Sequence, residues 1–252
     1  MQQKNFITNQ TLFGQPEIVG FGSDSFYVKE IGRNLSNDTI LKNHYSHKFY
    51  NGTYIHLGVY INDELLGVLQ YGYAMNPASG GSVVEGTQLN NYLELNRMWL
   101  DDKAERNSES KALSYSIRYI KGKYRTIKWI QSFADERCNC YGVVYQACSF
   151  NYFGEHDSTF WELDGEIFHN SIKTSRKAGK RGFDLLNAEE NKHKVTSETL
   201  RQFRYIYFID QRWKKKCLLK EKPYPKHYAE NSNAVEMENF KKYGTACAAP
   251  SF

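Results

Sequence analysis

The segment HYSHK brings two imidazoles and a phenol together ahead of the first clear strand pattern. A spacing of three residues would place His44 and His47 on neighbouring faces of a helical turn, within reach of a shared ligand. Tyr45 lies between them. Two carboxylates elsewhere in the chain, Glu94 and Asp135, are candidates to complete a nitrogen- and oxygen-ligated site for a ferrous ion. The alternative is an aromatic turn that covers the core.

The segment YLELNRMWL at 92–100 predicts a strand that is interrupted by polar residues. Central strands are usually almost continuously apolar, and burying an unpaired charge is costly. Alternation places Glu94 and Asn96 on one face of this strand and Arg97 on the other. A solvated face with a Glu/Arg pair is the alternative. The favoured interpretation is a cleft lined by these groups.

Asp135 ends a second predicted strand, at 127–135. Ligands of open α/β sheets bind outside the carboxyl ends of strands, so Asp135 is a candidate catalytic carboxylate. Tyr145, in a predicted helix at 142–150, would point into the same crevice. An ordinary turn aspartate and a core tyrosine are the alternatives. In the catalytic interpretation Asp135 or a metal-bound group accepts a proton, and Arg97 neutralises developing negative charge.

The chain is long enough for one large domain, and 252 residues predict a catalytic domain at 1–228 with a polar tail at 229–252. Its longest apolar runs are too short to cross a membrane, and the N-terminus lacks the pattern of a signal peptide, so a cytoplasmic location is expected. Five dispersed cysteines argue against a disulfide framework, and Cys138-Asn-Cys140 has no second pair at zinc-ribbon spacing.

Positive charge is concentrated in two runs, at 171–182 and 212–222, within a net charge of +5. Such runs raise the local positive potential and favour a polyanionic partner, although each alone is typical of a solvated surface. Interleaved aromatic residues favour nucleic acid. The predicted DNA-binding residues are the following: Lys173, Arg176, Lys177, Lys180, Arg181, Lys214, Lys215 and Lys216.

Patterning predicts alternating strands and helices. Strands are expected at 26–33, 53–61, 65–75, 92–100, 127–135 and 199–210, a strand or hairpin at 153–170, and helices at 36–45, 109–121 and 142–150. This order predicts a mixed α/β central sheet with helices on both faces, like the acetyltransferase-like (GNAT) fold, followed by a basic C-terminal extension.

Acetyltransferases carry a glycine-rich pyrophosphate loop where this chain has RNSESK at 106–111. Ser108 or Ser110 is expected to cap the following helix and to lie at the cofactor loop. Glu109 and Lys111 stand where glycines are expected, so they would crowd and repel a diphosphate. Acetyl-CoA or another small-molecule donor is therefore left open.

Six segments follow one another within residues 26–226: HYSHK at 44–48, ELNRMWL at 94–100, RNSES at 106–110, SFAD at 132–135, GVVYQACSFNYFG at 142–154 and YPK at 224–226. Together they resemble the phage Mom DNA-modification proteins. The resemblance implies a GNAT-like fold, a need for iron, and conversion of adenine in DNA to N6-carbamoylmethyladenine, which blocks host restriction. It also implies a set of site residues: His44, Tyr45, Arg97, Asp135 and Tyr145, with Ser110 at the cofactor loop.

The leading prediction is therefore an enzyme that modifies adenine in double-stranded phage or prophage DNA. Basic loops would hold the phosphates, and Tyr45, Tyr71 or Tyr73 would stack on the extruded base. One alternative is an acetyl-CoA-dependent N-acetyltransferase acting on a small amine or a protein. Another is a non-catalytic DNA-binding module, which would not need the polar groups of strand 92–100. No membrane partner is expected, and a homodimer is left open.

Overall fold

The computed structural model describes residues 5–11, 14–136, 141–173 and 181–225. In these ranges ten strands form one sheet: β1 (Phe6–Asn9), β2 (Glu17–Ser23), β3 (Phe26–Glu30), β4 (Thr53–Ile61), β5 (Glu64–Gly72), β6 (Tyr92–Leu100), β7 (Trp129–Asp135), β8 (Asn151–Leu163), β9 (Glu166–His169) and β10 (Thr196–Phe208). The same ranges contain six α-helices: α1 (Arg33–Asn43), α2 (Gly80–Val83), α3 (Ser108–Lys123), α4 (Val143–Ala147), α5 (Asn170–Lys173) and α6 (Arg181–Asn187).

The strand order across the sheet is β1-β2-β3-β4-β5-β6-β7-β10-β8-β9. Among the described strands, β6 and β7 are the parallel pair, and every other neighbouring pair is antiparallel. A parallel pair needs a crossover connection, which α3 supplies. The predicted mixed α/β sheet is therefore confirmed.

The strands β4 and β5 form the hairpin that alternation predicted. Their turn contains Asn62 and Asp63, which have φ angles of 48° and 65°. A two-residue hairpin turn of this kind requires positive φ, and Asn and Asp tolerate it better than most side chains. The turn pairs Ile61 with Glu64, and a β-bulge at Leu66 then shifts the register so that Leu57 lies opposite Leu69 in the core.

Helices cover both faces of the sheet, as predicted. The helix α3 buries Leu113, Ile117 and Ile120 in the main hydrophobic core, at the spacing of one helix face. On the opposite face, α1 lies over β5, where the Gln70 side chain donates hydrogen bonds of 2.8 Å to Ser36 Oγ and 3.0 Å to Asn37 Oδ1.

Several boundaries differ from the predictions, most of all at the first helix. The predicted strand at 26–33 ends at Glu30, and the predicted helix at 36–45 instead runs from Arg33 to Asn43. Gly32 supplies the extended N-cap that begins this helix. The strands β1 and β2 were not predicted; β2, with the sequence EIVGFGS, lacks a regular alternation, and its buried position depends on pairing with β3.

The basic C-terminal extension packs back onto the domain. A 3-10 helix at Gln211–Lys216 leads to an isolated bridge between Cys217 and Val84. Leu219 and Trp213 pack beside the second hydrophobic cluster, which contains Trp129. This packing holds three lysines of the extension near the amino-terminal end of β7: Lys214, Lys215 and Lys216.

Several predictions lie outside the described residues. They concern the tail at 229–252 and six named residues: Cys138, Cys140, Arg176, Lys177, Lys180 and Cys247. The predicted domain boundary at 228 stays a prediction. Among the described helices, none is long and apolar enough to cross a membrane.

Candidate functional site

The strands β6 and β7 pair over only three positions and then separate. The last pair joins Glu94 to Gln131, after which β6 continues to Leu100 and β7 to Asp135 without further pairing between them. This separation opens a gap in the sheet, and both strands bring polar residues to it.

Alternation assigns the residues around the gap to two faces, because directly paired residues of neighbouring strands share a face. The α1 face, which α1 covers, carries Gln70, Glu94, Gln131 and Asp135. The α3 face, which α3 covers, carries residues of the main core: Tyr71, Leu95 and Ser132.

Tyr45 and Asp135 meet on the α1 face. The Tyr45 hydroxyl donates to Asp135 Oδ2 over 3.4 Å, and Asp135 is only 8% exposed. The chain after α1 therefore returns over the carboxyl end of β7. The structure brings these two predicted site residues together, although 90 residues separate them in the sequence.

His44 lies beside Tyr45, and their ring centroids are 4.3 Å apart. The Ser46 backbone N–H donates to His44 Nδ1 over 3.1 Å, and Ser46 Oγ lies 2.9 Å from the same nitrogen. Because Nδ1 accepts from the amide, the neutral ring carries its proton on Nε2. Ser46 therefore sets the tautomer and the orientation of the buried His44 ring.

His47 does not share a helical turn with His44, which corrects the prediction from their spacing. The helix α1 ends at Asn43, and His47 has a φ of 44° in the turn that follows. Its ring nitrogen Nδ1 lies 2.9 Å from the carbonyl oxygen of Leu41. Since a carbonyl only accepts, Nδ1 carries a proton and His47 is turned back onto α1.

Arg97 lies on the same face as Glu94, and the prediction from simple alternation is wrong. The register between β5 and β6 shifts at Asn96, so that Gln70 pairs with Arg97 while Tyr71 pairs with Leu95. A β-bulge of this kind re-aims a side chain. The Arg97 guanidinium donates to the Lys48 carbonyl over 3.0 Å and to the Asn96 carbonyl over 2.6 Å. Arg97 therefore fastens the segment that carries Tyr45 to β6.

Glu94 is enclosed by amide donors. Gln131 Nε2 donates to Glu94 Oε2 over 2.8 Å, and Asn96 Nδ2 donates to Oε1 over 3.3 Å. Burial raises the pKa of Glu94, and the two amide hydrogen bonds oppose that shift. The oxygen of the Gln131 side chain is itself buried and has no hydrogen-bond partner in the described residues. The cleft interpretation of β6 therefore describes Glu94 and Asn96 better than a solvated face.

The raised pKa of Glu94 predicts a pH-dependent contribution to stability. A carboxyl group with a higher pKa in the folded state binds its proton more tightly there, so the free energy of unfolding falls as pH rises from the unfolded value of about 4.3 through the folded value. The Glu94→Gln variant lacks this loss. We expect its free energy of unfolding, relative to wild type, to increase with pH above about 4.3. Urea denaturation at several pH values measures the difference.

The matched control for this prediction is Glu64→Gln, at the exposed start of β5. A Glu94→Gln curve that runs parallel to wild type at every pH would contradict the expected role of burial.

Tyr145 lies on the α3 face, away from the side of the sheet that carries Asp135. Its hydroxyl accepts a hydrogen bond of 2.9 Å from Ser132 Oγ, and its ring packs against Phe150 and Tyr205. Because Ser132 follows Gln131 at the gap, Tyr145 reaches the gap from the side opposite Asp135.

Tyr71 cannot stack on a base, because it is fully buried and its hydroxyl is bonded to Ser116 Oγ. Tyr73 is half-exposed, and its ring lies 4.9 Å from that of Tyr54.

A groove with a volume of about 570 Å³ runs along α3 on the α3 face of the sheet. Arg106, Lys111 and Arg118 line it together with one acidic residue, Glu105. Glu109 is not among its lining residues, and the Lys111 ammonium lies 4.3 Å from the centroid of the Phe26 ring. The charge of the lining residues is net positive, and the predicted repulsion of an anion by Glu109 stays a prediction.

Both serines predicted for the cofactor loop line this groove, but neither is the N-cap of α3. The N-cap is Asn107, in the left-handed conformation with a φ of 70°. Ser108 is buried, and Ser110 Oγ donates to the Asn107 carbonyl over 3.0 Å. The helix is thus entered by a left-handed turn, which short-range capping rules did not indicate.

The four candidate metal ligands do not form a cluster. In the part of the chain that the structure describes, no three His, Cys, Asp or Glu side chains are grouped closely enough to hold a metal ion. His44 Nδ1 accepts from Ser46, His47 is turned onto α1, and Glu94 accepts from two amides. These residues do not fit an iron site as arranged, and iron stays a prediction.

The predicted DNA-binding residues that the structure describes lie at two places beside the α1 face. Near β9, Lys48 and Arg181 both pair with Glu166, at 3.1 Å and 3.0 Å, which connects the first basic run to the segment that carries Tyr45. Lys173 lies over the Trp161 ring, 3.2 Å from its centroid. In the extension Lys214 pairs with Glu221 over 2.8 Å, while Lys215 and Lys216 are exposed.

Sequence reasoning missed three residues that shape the site: Ser46, Gln131 and Arg204. Gln131 was detectable as a polar residue inside the apolar strand IKWIQSFAD, and Arg204 as a charge inside the aromatic strand TLRQFRYIYF. No local pattern distinguishes Ser46, since its role depends on the ring of His44.

Comparisons with solved structures find acetyltransferases. One, from Salmonella typhimurium, modifies the N-terminal serine of a 50S ribosomal subunit protein; it is 11% identical, with a TM-score of 0.42 over 75% of this chain and 97% of that chain. Another, of the GNAT family from Streptococcus pneumoniae, is 11% identical, with a TM-score of 0.35 over 64% of this chain and 68% of that chain.

Comparisons of sequence are more specific. The methylcarbamoylase Mom of Escherichia phage Mu is 46% identical to this chain over 214 residues, which cover 83% of this chain and 88% of that protein. The family model of the Mom protein family matches residues 25–226, a range that includes β6, the gap and the Tyr45–Asp135 pair. The chain belongs to the Mom protein family.

Proposed function

We propose that this chain is a transferase that converts adenine in phage or prophage DNA to N6-carbamoylmethyladenine and so protects that DNA from host restriction. Its place of action would be the cytoplasm of the bacterial host. The observation that carries the proposal is the Tyr45–Asp135 pair beside the gap between β6 and β7, in a chain that is 46% identical to a methylcarbamoylase.

In the proposed reaction the exocyclic amine of adenine attacks a carbon of the donor. The N–C bond forms, the amine loses a proton to Asp135, and the leaving group takes the electron pair of the bond that breaks. A positioned carboxylate accelerates such a step when it lies within hydrogen-bond reach of the proton. Tyr45 would hold the carboxylate through its hydroxyl. Arg97 and His44 would position Tyr45, since Arg97 bonds to the Lys48 carbonyl and His44 packs on the Tyr45 ring.

The donor would bind on the α3 face and reach the amine through the gap. The groove along α3 has three basic residues and one acidic residue, so it favours a donor that carries the carbamoylmethyl group on an anionic, for example phosphorylated, leaving group. Acetyl-CoA, which lacks the carbamoyl nitrogen, would serve the N-acetyltransferase alternative. Ser108 and Ser110 line it, and Tyr145 stands between it and the gap. The donor and the DNA would thus approach from opposite faces of the sheet.

Double-stranded DNA would lie across the α1 face, held by the basic residues on its two sides. We expect the double variant Lys215→Gln with Lys216→Gln to weaken DNA binding and to reduce the slope of log affinity against log salt by about 1 to 2 units, since each phosphate contact contributes about 0.9. Fluorescence anisotropy with a short duplex over a range of salt concentrations measures both quantities.

A charge-matched control for this experiment is Lys103→Gln with Lys121→Gln, at exposed positions just before and near the end of α3. If the control pair lowers the salt slope as much as the test pair, the extension is not the phosphate contact. Sedimentation of the same samples would report whether the chain is a homodimer.

Mass spectrometry of nucleosides from DNA of expressing cells tests the proposed function. Wild type should produce deoxyadenosine with an added carbamoylmethyl group, and DNA from cells without the protein should not. Acetylation of a small amine or a protein, with unaltered deoxyadenosine, would favour the N-acetyltransferase alternative. DNA binding without any altered nucleoside would favour a non-catalytic binding module.

A further inference from the structure

Arg204 projects from β10 onto the α1 face, the side that carries Asp135. It pairs directly with Phe133, and its guanidinium lies 5.0 Å from the centroid of the Phe133 ring. The pairing of β10 with β8 shifts register at this point, so that Phe153 and Gly154 of β8 oppose Arg204 alone. Bulges of this kind are common beside active sites, where they re-aim one side chain.

The guanidinium of Arg204 has no acceptor in the part of the chain that the structure describes. In the described residues it makes no hydrogen bond or ion pair, whereas its neighbours Arg201 and Arg212 pair with Glu136 and Asp210. The side chain is half-buried, and burial lowers the pKa of Arg204. A guanidinium offers five N–H donors, and those of Arg204 are not among the fully buried polar atoms of the described residues, so a ligand can reach them. Such a group is poised to bind an acceptor from a ligand.

The position of Arg204 indicates which ligand that is. Phe133, its partner, is two residues before Asp135 on the same face of β7. Along β10, Arg204 lies between Gln202, which pairs with Asp135, and Phe208, the end of the strand that leads into the basic extension. A planar guanidinium binds phosphate through two parallel hydrogen bonds. DNA held by the extension would therefore carry a phosphate past Arg204 on its way to Asp135.

We infer that Arg204 binds a phosphodiester oxygen of the DNA next to the adenine that is modified, an inference that rests on the proposed function. A phosphate contact fixes the position of the nucleotide without reading its base. Arg204 would thus hold the backbone of the extruded nucleotide so that its base reaches the Tyr45–Asp135 pair. The same chemistry could serve an anionic group of the donor, and the experiment separates the two sources.

The test uses the full chain with Arg204→Gln and Arg204→Lys. For Arg204→Gln we expect DNA binding to weaken about tenfold, as for loss of a hydrogen bond to a charged group. The loss should be equal for duplexes of different sequence, and the salt slope should fall by about 1. Arg204→Lys keeps the charge but not the fork, so its loss should be smaller. The amount of modified adenine in cells should fall more for Arg204→Gln than for Arg204→Lys.

The charge-matched control is Arg125→Gln, at an exposed position before β7 and at the opposite end of that strand from Asp135. Normal DNA binding by Arg204→Gln with lost modification would assign Arg204 to the donor and overturn the inference. A loss confined to one base sequence would make it a base contact, with the same consequence. If wild type binds DNA but modifies none, the proposed function fails, while the salt slope still tests the phosphate contact.

Discussion

Asparagine in place of Asp135 should lower the formation of modified adenine by about 10²–10⁴-fold, the range typical for loss of general acid–base catalysis. The amide has nearly the same shape as the carboxylate and still accepts from Tyr45, but it cannot take up the amine proton. The substituted side chain fills the same buried place at the end of β7 and keeps the hydrogen bond from Tyr45, so the geometry of the site should survive. Nucleoside mass spectrometry with equal protein levels measures the change.

The adjacent carboxylate provides the control for this experiment. Glu136 pairs with Arg201 at the surface, and we expect Glu136→Gln to keep most of the activity. A second comparison is Tyr45→Phe, which removes only the hydroxyl that contacts Asp135; it should lose less activity than Asp135→Asn. Full activity of Asp135→Asn in a folded protein would require another proton acceptor.

Trp129→Ala should lower the free energy of unfolding by about 3–5 kcal/mol, the range for large aromatic truncations in a core. Trp129 is 0% exposed and stacks on Tyr92 with ring centroids 4.5 Å apart, and its Nε1 donates to Thr87 Oγ1 over 3.2 Å. The truncation leaves a cavity in the second hydrophobic cluster, next to the paired part of β6 and β7. Since the free energy of unfolding of a domain is only about 5–15 kcal/mol, the variant should be only marginally stable at growth temperature.

Urea denaturation of Trp129→Ala and of Leu89→Ala makes the comparison. Leu89 is 49% exposed in the loop before β6, so its truncation should change the free energy of unfolding by less than about 0.5 kcal/mol. A loss below about 1 kcal/mol for Trp129→Ala would mean that the second hydrophobic cluster relaxes to fill the cavity.

Local patterns were enough to predict the elements that position the site. Alternation located β4, β5 and β6, and the spacing of Leu113, Ile117 and Ile120 located α3, because periodicity reflects which side chains face the core. The prediction that Asp135 lies at a strand end, near Tyr45, is supported by their hydrogen bond. Strands whose burial depends mainly on pairing, such as β2, were missed.

The orientation of individual side chains was not predictable in the same way. Simple alternation put Arg97 on the wrong face, because the bulge at Asn96 arises from the pairing of β6 with β5. The spacing of His44 and His47 suggested a shared ligand, but α1 ends before both residues. Tyr145 was expected beside Asp135, yet it approaches the gap from the α3 face.

The sequence by itself determined the mixed sheet, the crossover helix α3, the family and most of the residues that gather at the gap, since these follow from periodicity, residue type and order along the chain. Only the tertiary structure decided that β6 and β7 separate after Glu94 and Gln131, and that the groove and the Tyr45–Asp135 pair lie on opposite faces. It also decided that Arg204 lies on the α1 face with no acceptor among the described residues. The physical reason is that strand separation, bulges and unmatched donors are properties of pairings between distant segments, and no local window of the sequence contains both partners.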